Sequence, residues 1–200
     1  MGLSYLKGKN WIEVTREERL FCSYLYCDIQ KDVNSFLKLL KTQPQNYRGK
    51  VLSNLNNYGD WEIGFEVCFY RDIYYLYKST GETASESLAS FPLKRTFDLC
   101  LFSESRIIII EAKVQQGFDD KQIKYFLDDK NKYIPEILGI LGKTVQVDVV
   151  ALASSQYFKN CTQDTINSFD AYITWQQISE KYKPLKKINI YQQADIKYKQ

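Results

Sequence analysis

From residue 61 to 69 the chain alternates strictly. Trp61, Ile63, Phe65, Val67 and Phe69 are large and apolar, and Glu62, Gly64, Glu66 and Cys68 fall between them. A period of two marks a strand with one buried face; the stretch that follows, to Tyr77, loses it. Two β-rich runs, 95–102 and 106–114, are separated only by Ser103-Glu104-Ser105, the polar punctuation of a hairpin. Residues 145–153 read as an apolar strand and Ala171-Tyr172-Ile173 as a short one. Helical signals lie outside these runs. Thr15-Arg16-Glu17-Glu18 has capping-box spacing, with Thr15 at the N-cap and Glu18 at N3, and predicts a helix over 16–40. Its apolar stripe would be Leu20, Tyr24, Cys27, Val33, Phe36, Leu37 and Leu40. Residues 119–129 and 133–141 also read as helices, and Thr174 as the N-cap of a last one over 175–182.

Polar stretches divide these elements. A loop with Pro44, Gly49 and several asparagines follows the first helix, and Val51 to Leu55 reads as a further helical turn; a small-residue, acidic loop spans 79–90. The order of elements predicts one α/β domain over 1–182, a small mixed β-sheet flanked by helices. Its helical N-terminal part is 15–40 and its core about 61–182, and a basic C-terminal tail covers 183–200.

Composition narrows the chemistry. Two hundred residues, 44% hydrophobic and 15% aromatic, suffice for one sizeable core. The net charge of +3 and a pI near 8.4 are too mild to prove a nucleic-acid partner alone. Histidine is absent, which removes Ser-His and Cys-His catalysis, His-containing zinc sites and His-based nucleases. Hydrolysis would have to run on carboxylates, lysine, tyrosine and metal. Cys22, Cys27, Cys68, Cys100 and Cys161 contain no CxxC pair, a pattern suited to reduced, mostly buried thiols. Residues 1–11 have no apolar leader-like core, and no run approaches the ~18 apolar residues of a spanning helix. A cytoplasmic protein away from membranes is expected. Gly139-Ile140-Leu141-Gly142-Lys143-Thr144 has the ending of a phosphate-binding loop, but it closes a helix and opens a strand, so Gly142 reads as a helix C-cap.

The two central strands carry the candidate site. A turn centred between Glu104 and Ser105 pairs residues whose numbers sum to 209, which sets Asp98 opposite Glu111. Glu111, Lys113 and Gln115 then share one face, and Ile108, Ile110, Ala112 and Val114 the other. Carboxylates opposed at ~5 Å repel unless a cation lies between them. A hard divalent ion held by Asp98, Glu111 and the Ala112 carbonyl is the natural occupant. Lys113 would orient or deprotonate the attacking water and offset phosphate charge. The alternative is a solvated pair at a sheet edge. Against it, Asp98 sits in Phe97-Asp98-Leu99-Cys100-Leu101-Phe102 and Glu111 follows four isoleucines, where a charge needs a reason.

These residues resemble the PD-(D/E)XK nuclease superfamily. The match is Asp98, a gap of twelve residues, then Glu111-Ala112-Lys113, and it extends over about 95–182 through the helix, strand, strand-to-helix order that ends at Ile173-Thr174-Trp175. The resemblance implies a restriction-endonuclease-like αβββαβ core and a magnesium-dependent nuclease, with manganese as substitute, acting on DNA in restriction, defence or repair. It also implies an acidic residue from the first helix. Glu18 is that candidate beside its capping-box reading, and Glu66 is a weaker one. Two departures stand out: Phe97 replaces the expected proline, and Gln122 has Tyr125 one residue early, so Gln122 receives no role.

Gln115 either holds a water or phosphate or is plain surface polarity. For substrate, Lys94, Arg95 and Arg106 lie near the site in sequence. The tail alternates Lys181, Lys183, Lys186, Lys187, Lys197 and Lys199 with Tyr182, Tyr191 and Tyr198, either as a phosphate-and-base grip or as a solubilising tail. No separate recognition domain is visible, so specificity would come from loops, a homodimer or a partner protein. A non-catalytic nucleic-acid-binding or assembly subunit that keeps the fold, and a structural partner with no nucleic-acid role, are the competing functions.

Overall fold

Four consecutive isoleucines, Ile107 to Ile110, cannot send their side chains to one side of a strand, so both faces of the sheet around them must be covered. A computed structural model describes residues 4–7, 9–42, 51–52, 55, 60–80, 84–183 and 188–198. Five strands, β1 (Glu62–Val67), β2 (Phe97–Phe102), β3 (Arg106–Ala112), β4 (Gln146–Ala153) and β5 (Ala171–Thr174), lie side by side in chain order. The pairs β1–β2 and β2–β3 are antiparallel, and β3–β4 and β4–β5 parallel. The result is a mixed sheet flanked by helices.

Among the described residues, a 3-10 turn (Ser4–Leu6) and three α-helices precede the sheet: α1 (Trp11–Val14), α2 (Glu18–Lys31) and α3 (Val33–Lys41). Between β1 and β2 run α4 (Phe69–Ser79) and α5 (Ala84–Leu88). The crossover from β3 to β4 is α6 (Asp120–Asp128), a π-helical turn (Asp129–Tyr133) and α7 (Ile134–Ile140). Next come α8 (Ser155–Asn160) and α9 (Gln163–Asn167), and after β5 come α10 (Trp175–Lys181) and α11 (Ile190–Asp195). Ile108, Ile110 and Ala112 pack with Phe21, Leu25, Leu37, Trp175 and Tyr191 on one face. Ile107 and Ile109 pack with Tyr70, Ile123, Phe126, Ile137 and Phe158 on the other.

The hairpin register is the predicted one. Leu99↔Ile110, Cys100↔Ile109, Leu101↔Ile108 and Phe102↔Ile107 face one another, and Ser103 and Arg106 exchange backbone bonds around Glu104-Ser105. Gly142 has φ +67°, the left-handed backbone of a helix C-terminus.

Four expectations change. The helix over 16–40 is two helices, because Asp32 accepts from the Ser35 N–H and caps α3. With the phase reset there, α2 buries Phe21, Cys22, Leu25 and Ile29, while Tyr24 and Cys27 are exposed. The helices at 119–129 and 133–141 are joined through the π-helical turn. The C-terminal stretch is not merely a solvated tail: Ile190, Tyr191 and Ala194 of α11 are buried. The loop at Pro44 and Gly49 lies outside the described residues, and the turn at Val51 to Leu55 partly so. No helix among the described residues is long and apolar enough to cross a membrane. All five cysteines are free; Cys22 and Cys100 are buried, but Cys27 is exposed, so the thiols are less uniformly interior than expected.

Candidate functional site

Lys113 follows the last residue of β3 and is fixed at both of its backbone atoms. Its N–H donates to the Leu152 carbonyl at 2.7 Å, extending the parallel ladder to β4. Its carbonyl accepts from Trp175 Nε1 at 2.9 Å. Trp175 is fully buried and stacks on Tyr191, so the C-terminal helix pair helps to fix the position of the lysine. The ammonium reaches Glu18 Oε1 at 3.3 Å and Glu111 Oε1 at 3.4 Å, with the Phe118 ring 5.6 Å away.

The acids come from three elements. Glu111 is the penultimate residue of β3; Asp98 lies on β2 and accepts from the Ala112 N–H at 2.8 Å; Glu18 opens α2 and accepts from the Val114 N–H at 3.1 Å. Glu18 is therefore not the capping-box partner of Thr15. The helix starts at Glu18 itself, and the Thr15 hydroxyl accepts from the Glu17 N–H instead. Burial raises all three carboxyls. Asp98 is raised by desolvation and pulled back by the Ala112 N–H and Lys113. Glu18 is raised by desolvation and pulled back by Lys113. Glu111 is pushed up to about 8 by burial and by the charge of Asp98. Desolvation opposes the charge on Lys113, yet Glu111, Glu18 and Asp98 outweigh it and hold the lysine above its ordinary range. The protonated form of the lysine, a hydrogen-bond donor and charge carrier, is thereby favoured.

Glu66 stands at φ +52°, a conformation rarely adopted by a non-glycine residue. It drops out of the ladder between Phe65↔Leu99 and Val67↔Phe97, opposite Asp98, and its carboxylate pairs with Arg19 at 3.2 Å. Arg19 acts on Asp98 as a positive charge, a role that Arg19's place on an exposed helix turn did not advertise. Behind the site, a Cβ on Gly117 would stand 2.1 Å from the Tyr157 ring, and the Tyr157 hydroxyl accepts from the Phe118 N–H at 3.1 Å. Only glycine permits that approach.

Other sequence candidates have partners of their own, although the charge of Arg95 is felt by Glu111. Gln115 sits beyond the end of β3 and exchanges bonds with Arg16, donating to its carbonyl at 3.1 Å and accepting from Nη1 at 3.3 Å. Arg106 is at the other end of β3 from Glu111, buried in an ion pair with Asp148. Arg95 is held by Asp129 at 2.8 Å and lies over the Phe126 ring, and Asp129 also accepts from the Tyr70 hydroxyl at 2.7 Å. Lys94 is exposed. The tyrosines of the tail are used internally: Tyr191 donates to Asp28, Tyr182 packs beside it, and Tyr198 packs on Tyr157. Lys186, Lys187 and Lys199 lie outside the described residues.

Hard carboxylate oxygens in excess over cations are the donor type that suits a divalent ion such as magnesium. Among the described residues, however, no three acids or thiols stand together as a ready ion-binding group, and Lys113 occupies the space between Glu18 and Glu111. No family model matches the chain, and no curated protein or solved structure matches it either.

Proposed function

We propose that the chain is a metal-dependent nuclease of PD-(D/E)XK type that hydrolyses phosphodiester bonds, with DNA as the substrate the resemblance favours. The observation that carries this reading is the ammonium of Lys113 set between Glu18 and Glu111, with Asp98 on the neighbouring strand. The helix, three antiparallel-paired strands, helical crossover and parallel strand support the finer αβββαβ reading of the core.

Asp98, Glu111 and the Ala112 carbonyl would hold magnesium or manganese, which when bound polarises a phosphoryl oxygen and lowers the pKa of a water. Lys113, kept protonated, donates to the attacking water or to a non-bridging oxygen and offsets the negative charge that grows on the phosphorus centre. Glu18 holds that ammonium in place and accepts a proton from a water beside it. The Trp175 bond to the Lys113 carbonyl fixes the backbone that aims the lysine.

A second reading has its own observation. Asp98 is already engaged by the Ala112 N–H and the described acids form no ready ion cage, which favours a nucleic-acid-binding or assembly subunit that keeps the fold without catalysis. Incubation of the purified protein with plasmid, linear, branched and single-stranded substrates in magnesium or manganese separates the two. Cleavage that disappears in chelator and in Lys113→Ala supports the nuclease; binding without cleavage in either metal supports the subunit.

A further inference from the structure

Three cations that the carboxylate centre does not use, Lys9, Arg16 and Lys197, lie close to one another, and the short helix between the first two carries an exposed tryptophan. Trp11, the first residue of α1, is 62% exposed, an unusual state for the largest apolar side chain. Asn10 and Glu13 close a capping box around that short helix, so the indole is presented by an ordered turn. Lys9 precedes it and Arg16 follows it, both exposed. Lys197, just beyond α11, reaches the same place: its ammonium donates to the Glu13 carbonyl at 3.0 Å, and Lys9 and Arg16 both act on it as like charges.

Cations gathered from three parts of the chain repel, and an anion answers them. The carboxylate that acts on Lys197, Glu13, is engaged elsewhere, since its Oε2 accepts from both the backbone and side-chain nitrogens of Asn10. The cluster is joined to the reactive centre through Arg16, whose two bonds to Gln115 lie two residues from Glu18 and its Lys113 contact. Arg16 and Gln115 thus tie this surface to the chain segments that carry Glu18 and Lys113.

We infer that Lys9, Trp11, Arg16 and Lys197 form a surface for an unpaired nucleic-acid strand, with phosphates on the cations and a base stacked on the Trp11 indole. As a device that feeds the neighbouring phosphodiester to the carboxylates it rests on the nuclease reading, and it narrows the substrate class to nucleic acid with a single-stranded segment beside the point of cleavage. The cations alone would serve a duplex equally. The indole makes the distinction, because a base inside a duplex has no free face to stack on it.

The test is binding by the full chain in chelator, where nothing is cut, of a short oligothymidylate and of a duplex of equal length, followed by intrinsic fluorescence and anisotropy. Trp175 is buried and Trp61 half-buried, so Trp11 is the indole a base can quench. The single strand is expected to quench and to bind about tenfold tighter than the duplex, and Trp11→Ala to lose about tenfold of single-strand affinity with duplex affinity unchanged. Trp11→Phe, which keeps a ring, retains most of it. Lys9→Ala combined with Lys197→Ala weakens both ligands and flattens the salt dependence. Equal affinity for duplex and single strand, or no effect of Trp11→Ala, overturns the inference. So does polyglutamate that displaces the oligonucleotide at equal charge, which would make an acidic protein the partner. Binding as described by a protein that cuts nothing in magnesium or manganese keeps this surface and removes the nuclease. Metal-dependent cutting of single-stranded substrate that ignores Trp11→Ala keeps the nuclease and removes this surface.

Discussion

Glu18 and Lys113 are ninety-five residues apart in sequence and 3.3 Å apart in the fold. The contact joins the first turn of α2 to the end of β3, and the Val114 N–H adds a second bond to the same carboxylate. The acid is therefore fixed from two sides and belongs to the lysine, not to a helix cap.

Removing the ammonium leaves Glu18, Glu111 and Asp98 without their shared counter-charge. Lys113→Ala is expected to destabilise the metal-free protein by about 3 kcal/mol, the scale of a buried pair that loses one partner. If the lysine serves the transition state, cleavage falls by about a hundredfold or more while nucleic-acid binding largely survives. Urea melts in chelator, cleavage assays and binding titrations read the three quantities separately, and a wild-type cutting rate would withdraw Lys113 from the mechanism.

Trp175 is bonded to the site through its indole N–H, which donates to the Lys113 carbonyl. Trp175→Phe keeps an aromatic ring next to Phe21 and Tyr191 but removes the donor. The orphaned carbonyl costs about 1–2 kcal/mol, or roughly 2–8 °C in melting temperature for a chain of this size. A tryptophan that merely fills the core predicts the same melting shift with unchanged turnover per folded molecule; a positioning residue predicts a lower kcat with an unaltered KM.

Glu111 gives the metal-free protein a pH dependence of definite sign. Its carboxyl is pushed from an ordinary value near 4.5 up to about 8, because burial and Asp98 oppose its charge. The folded state holds that proton more tightly than the unfolded chain. The associated stability is fully present below about pH 4.5 and is lost as pH rises through 8. Asp98 and Glu18, also raised, add to the same slope. Thermal melts in chelator between pH 5 and 9 should fall by roughly 5 °C or more, and Glu111→Gln should flatten the curve. A flat wild-type profile would mean that Glu111 is solvated.

The hairpin was legible because it is local. A short polar turn between two apolar runs fixes the register, and that register places Asp98 and Glu111 on neighbouring strands before any tertiary contact is known. The break at Asp32 was less visible, since apolar residues lie on every side of 20–29 and only the phase of the buried face distinguishes one helix from two. Arg106 looked like a phosphate contact because its partner, Asp148, comes from the parallel strand β4, and parallel registers are set by the whole crossover and not by a turn. Glu18 was ambiguous for a related reason: a carboxylate at a helix start satisfies a local rule, and only the long-range docking of α2 on β3 shows which bond it makes.

Asp98 and Glu111 place two carboxyls on adjacent hydrophobic strands. Above pH 8, where Glu111 as well as Asp98 is ionised, unit charges ~5 Å apart repel by roughly 3 kcal/mol at an effective dielectric of about 20, and Lys113 offsets part of this. Asp98→Asn removes one of the charges and keeps an oxygen to accept from the Ala112 N–H, so the strand contact survives. Without metal, at about pH 9, the variant is expected to melt above the wild type. With magnesium or manganese the order reverses, because the wild type alone gains stability by binding the ion in its native state, by an amount that grows with the logarithm of metal concentration. Opposite signs in the two conditions are hard to obtain from a general effect on packing. Melts of both proteins in chelator and across a metal titration measure this directly, and an undiminished metal-induced shift in Asp98→Asn would place the ion elsewhere and remove Asp98 from the proposed site.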